Sequence, residues 1–284
     1  MKIIKTNGFY YLSYSFRKKG NVVNRKKYVG MEIPVNIEEI KQTFLEQCFK
    51  EEVFGRLKQI KKRYAEEWKK LPESIKKERL VDFSIDFTYN TNAIEGSSLT
   101  KEDTESILKR KIAPTKAYRD IQETIHHSKV FFTILQEKKG LSEKLLLEWH
   151  KSLFSETKSD IAGVYREYLV RVGEYRAPDW QDVTKLMKEL FLFYEKNKKT
   201  MHPVELAALM HYEFEKIHPF GDGNGRVGRL IINYILYKNK YPMFSILYKK
   251  RQAYYQALGK KRLDFLQYFT RVYVSSYKEY LEKL

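Results

Sequence analysis

The sequence predicts a mainly α-helical protein with two small β-hairpins. Three observations lead there: helical periodicity from Asn36 onward, strand-like alternation confined to two short stretches, and capping residues ahead of most helical runs. Along 9–16, Tyr10, Leu12, Tyr14 and Phe16 alternate with Tyr11, Ser13 and Ser15, which is a strand pattern. Gly20-Asn21 reads as a turn and 22–29 as the returning strand, so the first thirty residues form a hairpin appendage too small to fold alone. Asn36, followed by Glu38 and Glu39, opens a long helix that runs toward Trp68 and Pro72. Leu80, Phe83, Phe87 and Ile94 mark a helix over 74–94, and Thr100 with Asp103 has the pattern of a capping box for a short one. Helices follow over 115–138 and 142–154, the second N-capped by Ser142. Between 162 and 178 Tyr168, Val170 and Val172 alternate around Gly163 and Gly173, which suggests a short hairpin. Asp179 caps a helix to about 198, and Pro203 opens another through Leu206, Met210 and Phe214. The expected division is 1–72, a hairpin plus long helix, and 73–284, a helical core.

Composition narrows the class. The chain of 284 residues is 43% hydrophobic, enough for a packed core, so disorder is excluded. A lone cysteine, Cys48, excludes an internal disulfide framework and a cysteine-based zinc site, and it fits a reducing compartment. No apolar run reaches the roughly 18 residues that span a bilayer, so a soluble, cytoplasmic protein without membrane partners is expected. The formal net charge of +18 raises nucleic acid as a partner. Lysines are spread along nearly every segment, however, as in a solvated surface, and nucleic acid is not expected.

The densest chemical signal is HPFGDGNGRVGRL, with glycines at 221, 223, 225 and 228. An amphipathic helix precedes it, and Val227, Leu230, Ile231 and Tyr234 form an apolar helical stripe after it. The loop therefore empties into a helix N-terminus, where free N–H groups and the helix dipole favour an anion. The embedded G-x-G-x-x-G is not a dinucleotide fingerprint, because a helix and not a strand leads into it. His218, with an ordinary pKa near 6.5, can accept a proton at neutral pH. Asp222 can hold a hard divalent cation, and Asn224 offers an amide to a phosphate oxygen. Arg226 and Arg229, three apart on one helix face, can reach a polyphosphate. Singly, Asp222 and Asn224 also suit a turn, the arginines a surface, and Phe220 a core anchor. Together they are the parts of nucleotidyl or phosphoryl transfer. The remaining histidines, 126, 127, 150, 202 and 211, are read as structural.

Residues 218–229 closely resemble the core motif of the Fic family of AMP-transferring enzymes, His-Pro-Phe-x-Asp/Glu-Gly-Asn-Gly-Arg-x-x-Arg, at every specified position. The resemblance extends over about 80–260 and implies a Fic-type helical bundle with a short flap hairpin. It implies that His218 deprotonates a Ser, Thr or Tyr hydroxyl of a target protein, which attacks the α-phosphate of ATP, and that Asp222 binds Mg²⁺. Gly221, Gly223, Asn224 and Gly225 would hold phosphates, and Arg226 and Arg229 would contact the β/γ end. Thr91-Asn92-Ala93-Ile94-Glu95-Gly96 resembles the family's inhibitory motif, so Glu95, ending a helix over about 74–96, is expected to pair with Arg229 and withdraw it from the γ-phosphate. In some relatives that glutamate supports removal of AMP instead. By itself the segment also reads as a helix C-terminus with Gly96 at C′.

The hairpin at 162–178 occupies the place of the family's target-binding flap, with Tyr168, Val170 and Val172 on it and Gly163-Val164-Tyr165-Arg166 as the usual lead-in. Arg251, Tyr254, Tyr255 and Leu258 resemble a helix lining the adenine side. Self-modification and a homodimer are further expectations. The alternatives are a Doc-like kinase, disfavoured because those relatives carry lysine where this chain has Gly225, and a nucleic-acid-binding or adaptor protein that keeps the loop as an anion site. No target-binding module is recognised in 1–72, and no DNA-binding module is expected at the C-terminal end.

Overall fold

The structure, a computed structural model, describes residues 1–18 and 21–282, and its chain divides into two compact units, Met1–Lys62 with Thr270–Leu284 and Arg63–Phe269. In the first unit the hairpin expected at the N-terminus is a three-stranded antiparallel sheet, β1 (Lys2–Thr6), β2 (Phe9–Lys18) and β3 (Asn21–Gly30), in that order. The additional strand follows from Asn7-Gly8. Both residues have positive φ, 51° and 80°, the two-residue turn whose twist suits a hairpin. The turn expected at Gly20-Asn21 begins outside the described residues. Leu12 and Phe16, four residues apart and therefore in phase, are buried on one face of the sheet against Phe44 and Cys48 of α1 (Ile37–Lys70).

The second unit is helical: α2 (Glu73–Ile94), α3 (Lys101–Glu105), α4 (Tyr118–Gln136), α5 (Glu143–Phe154), α6 (Trp180–Asn197), α7 (Pro203–Ile217), α8 (Asn224–Lys238) and α9 (Arg251–Leu258), with α10 (Arg262–Ser276) beginning in it. The capping box of Thr100 and Asp103 is formed, and Ser142 accepts from the Leu145 N–H at 3.3 Å. Every residue of α8 from Asn224 to Leu236 is buried, as befits a helix surrounded by others. Helix α7 packs along it, and α2, α4 and α5 also contact it. The second hairpin is shorter than the alternation suggests: β4 (Arg171–Val172) pairs with β5 (Tyr175–Arg176) around Gly173, while Tyr168 and Val170 lie before the strands. Among the described residues no helix is long and apolar enough to cross a membrane.

Three buried histidines give the fold a pH signature. Burial, the dominant cause, lowers His127 and His211 to about 3 and His150 to about 4, so all three are neutral in the folded chain. Because an unfolded histidine protonates near 6.5, their contribution is complete above that pH and lost as pH falls toward 4. Glu215, raised by burial to about 8, acts in the opposite sense as pH rises from 4.5 to 8, one carboxyl against three imidazoles. The expected result is a denaturation midpoint that falls as pH drops from 6.5 to 4.5. A midpoint that rises over that interval would mean that these histidines are already charged in the native state.

Candidate active site

Local geometry around the glycine turn begins with His218. It closes α7 through its N–H to the Phe214 carbonyl at 2.9 Å and sits in the left-handed region, φ 51° and ψ 60°. That conformation is uncommon outside glycine and asparagine and persists only where surroundings enforce it. The enforcing residue is Arg166, buried after Gly163-Val164-Tyr165. Its guanidinium donates to the carbonyls of His218 at 2.8 Å, Tyr168 at 2.8 Å and Pro178 at 2.7 Å, while its own N–H donates to Pro219 at 2.9 Å. One side chain thus fastens the flap to the turn. Replacing Arg166 by alanine leaves several part-buried carbonyls without their donor, so a loss of about 2–3 kcal/mol is expected in urea unfolding. Lysine, without the fork, should recover only part of it.

The turn itself is held from below. Phe220 is buried and stacks on His150 with ring centroids 3.8 Å apart. His150 accepts from the Gly163 N–H at 2.9 Å through Nδ1, which leaves Nε2–H to donate to the Asp222 carbonyl at 2.9 Å. Asn224 does not turn its amide toward a ligand. Its Oδ1 accepts from the Phe220 N–H at 2.9 Å and its Nδ2 donates to the Phe220 carbonyl at 2.8 Å, so it braces the turn while the backbone N–H groups at the start of α8 remain as the anion nest.

Although Arg226 and Arg229 are neighbours on α8, each answers to a different acid. Arg229, 1% exposed, donates to Glu95 Oε1 at 2.5 Å and to the Thr91 carbonyl at 3.2 Å. Burial disfavours its charge, but Glu95 outweighs that and holds it protonated. Arg226 binds Glu123 of α4 and donates to Asp222 Oδ1 at 3.1 Å. Lys158 closes this second cluster through Asp222 Oδ2 and through Glu123 at 3.3 Å. Burial would raise the Asp222 carboxyl, yet Arg226 and Lys158 bring it down to about 2, so it is ionised at neutral pH.

Glu95 reaches Arg229 because α2 ends in a Schellman motif: Gly96, φ 88°, donates to Ala93 at 3.1 Å and Ser97 to Asn92 at 3.0 Å. The C-terminal glycine reading and the carboxylate's approach to Arg229 are therefore compatible. Gly225 makes the room, since a Cβ there would run into the Glu95 carboxylate and the Arg229 guanidinium.

These groups border two hollows. One, of about 460 Å³, is lined by Glu95, His218, Gly225, Arg229, Tyr254 and Tyr255, with Val172 of the flap at its rim. The other, of about 140 Å³, is polar and lined by Glu95, Glu123, Lys158, Asp222 and Arg226. Glu95 belongs to both. Gly221 and Gly223 do not line either hollow: their Cα positions are covered by the Tyr168 hydroxyl and the Phe154 ring. Leu258 also lines the larger hollow, whereas Arg251 lies over the Tyr248 ring instead, 4.2 Å from its centroid. Burial lowers the His218 pKa and the Glu215 carbonyl only partly offsets this, so the ring is neutral at pH 7; its Nδ1 is buried, and the residue lines the larger hollow. Lys158 and Glu123 were not legible as site residues, being single charges far from the glycine turn along the chain; Arg166 was legible only as the last residue of the flap's lead-in.

Residues 140–236 match the model of the Fic/DOC family. The chain is 33% identical over 160 residues to a protein adenylyltransferase Fic of Nematostella vectensis and 35% identical over 160 residues to one of Drosophila ananassae. Those alignments take in 54% of this chain but 38% and 32% of the relatives, so the chain spans well under half the length of the proteins it matches. It is also similar to a Fic domain containing signaling protein from Bacteroides thetaiotaomicron (27% identity, TM-score 0.71, 80% of this chain and 95% of that one). A Fic family protein from Desulfovibrio desulfuricans G20 is 26% identical with a TM-score of 0.68, covering 80% of this chain and 72% of that chain. Motif, fold and relatives agree on one likeness: over residues 140–236 the chain is similar to the Fic/DOC domain.

Proposed function

We propose that this protein transfers AMP from ATP to a hydroxyl of a target protein and that Glu95 restrains it. The observation that carries this reading is the wall of the larger hollow, where a neutral imidazole, a buried guanidinium and the N-terminus of α8 meet. A hollow of about 460 Å³ has the size of an ordinary nucleotide-scale ligand site. The target hydroxyl oxygen attacks the α-phosphorus while its proton passes to His218 Nε2; the bond between α-phosphorus and bridging oxygen breaks, and pyrophosphate leaves. The α8 N–H groups and Arg229 stabilise charge on the phosphates, and Tyr254 and Tyr255 flank the base. Among the described residues no cluster of three or more metal-ligating side chains exists. Mg²⁺ would take the place of the Lys158 ammonium at Asp222 Oδ2, an ionised, partly exposed carboxylate, since one carboxylate suffices when phosphates supply the other ligands. Bound there, Mg²⁺ would offset phosphate charge. The flap around Val172 would seat the target segment, and a soluble, cytoplasmic setting suits the reaction.

The test is transfer of label from ATP carrying radioactive phosphorus at either the α or the γ position, with the Glu95→Gly enzyme and a cell lysate or the enzyme itself as acceptor. Label is expected on protein only from the α position. Label arriving only from the γ position would mean phosphoryl transfer and would overturn the assignment.

A further inference from the structure

Averaged over the chain the positive charge looks diffuse, but the first three strands carry a local excess of it. Residues 1–31 hold eight lysines and arginines and neither aspartate nor glutamate. Strand register sorts them by face. Lys2 lies opposite Ser13 and Ser13 opposite Lys26, so one row across the three strands reads Lys-Ser-Lys. The next row on the same side reads Ile4, Tyr11, Tyr28. This side is turned away from α1, because Leu12 and Phe16, which pack on Phe44 and Cys48, have the opposite phase. Arg25, in phase with Leu12, is neutralised by Glu51 of α1 at 2.8 Å. Lys2 and Lys26 are exposed and have no ion-pair partner among the described residues. Tyr28 is 54% exposed, and edge-on packing against Tyr11 and Phe9, with centroids 5.6 and 5.9 Å away, steadies its ring without covering it.

A row of unpaired cations beside a row of steadied aromatic rings is a surface for a chain that alternates phosphates with flat bases. An acidic polypeptide would use the lysines but has no need of the rings, and a duplex hides its base faces by stacking them. We infer that this sheet face binds a single strand of nucleic acid, with Lys2 and Lys26 on phosphates and Tyr28 beneath a base. It is independent of AMP transfer.

The experiment is fluorescence anisotropy of the full-length protein with labelled 15-nucleotide single strands of DNA and of RNA, a duplex of the same sequence and a poly-glutamate peptide, over a series of salt concentrations. At least one single strand is expected to bind with affinity falling linearly in log–log form with salt; a preference between the DNA and RNA arms identifies the source of the strand. Tyr28→Ala should weaken binding roughly tenfold and Tyr28→Phe should restore it, as stacking requires. Lys26→Glu should weaken it by a similar factor and flatten the salt slope by about one. Both side chains are exposed, so folding is not at issue. Absence of salt-dependent binding, wild-type affinity in the Tyr28→Ala and Lys26→Glu variants, or equal binding of the duplex or of poly-glutamate would overturn the inference.

Discussion

Replacing His218 in the Glu95→Gly background is expected to reduce AMP transfer by about 10²- to 10⁴-fold, the range typical for loss of a positioned general base. Asparagine is the informative replacement. The backbone at 218 has φ 51°, which asparagine tolerates better than most residues, so His218→Asn removes the base while sparing the turn. If the imidazole takes the hydroxyl's proton, transfer is lost while thermal stabilisation by ATP persists. Transfer that survives in His218→Asn would assign the proton to another group. The pH profile adds a second readout: because burial lowers the His218 pKa, the rate should already be on its plateau at pH 7 and decline only on acidification.

Glu95→Gly is expected to raise transfer at least tenfold and at the same time to lower stability. Both effects have one origin. In the folded protein Arg229 is buried with Glu95 as its only carboxylate within 4 Å among the described residues. Breaking a buried pair on one side commonly costs 3–5 kcal/mol, but Glu95 is partly exposed and the Thr91 carbonyl remains on Arg229, so about 1–3 kcal/mol is the expected loss. A triphosphate that supplies the missing anion should return more stability to the variant than to the wild type. Ligand at 100 times its Kd adds about 2.7 kcal/mol, readily seen as a shift in Tm. Equal activity and equal nucleotide-induced Tm shifts in the two proteins would show that Glu95 does not compete for Arg229.

The glycine turn explains why so much was readable in advance. Helix ends, the capping box at Thr100 and the glycine-rich passage into α8 depend on residues within a few positions of one another, and local sterics and hydrogen bonding decide them. The strand β1 was equally local and was missed, although Asn7-Gly8 carries a strong hairpin signal. The flap is shorter than its alternation suggests: the Tyr168 carbonyl goes to Arg166, and pairing is confined to 171–172 with 175–176 and one bond from the Ala177 N–H to the Val170 carbonyl at 3.1 Å.

By itself, then, the sequence determined the mainly helical class, the chemistry gathered at 218–229 and the position of Glu95 at a helix end. Tertiary structure alone decided what each charge does. Arg226 and Arg229 differ by less than one helical turn, yet α4 brings Glu123 to the first and α2 brings Glu95 to the second, while Lys158 arrives at Asp222 from beyond α5. Such pairings join residues separated by 64 to 134 positions. No local rule encodes them, because a buried ion selects its partner only once packing has removed the water that would otherwise solvate it.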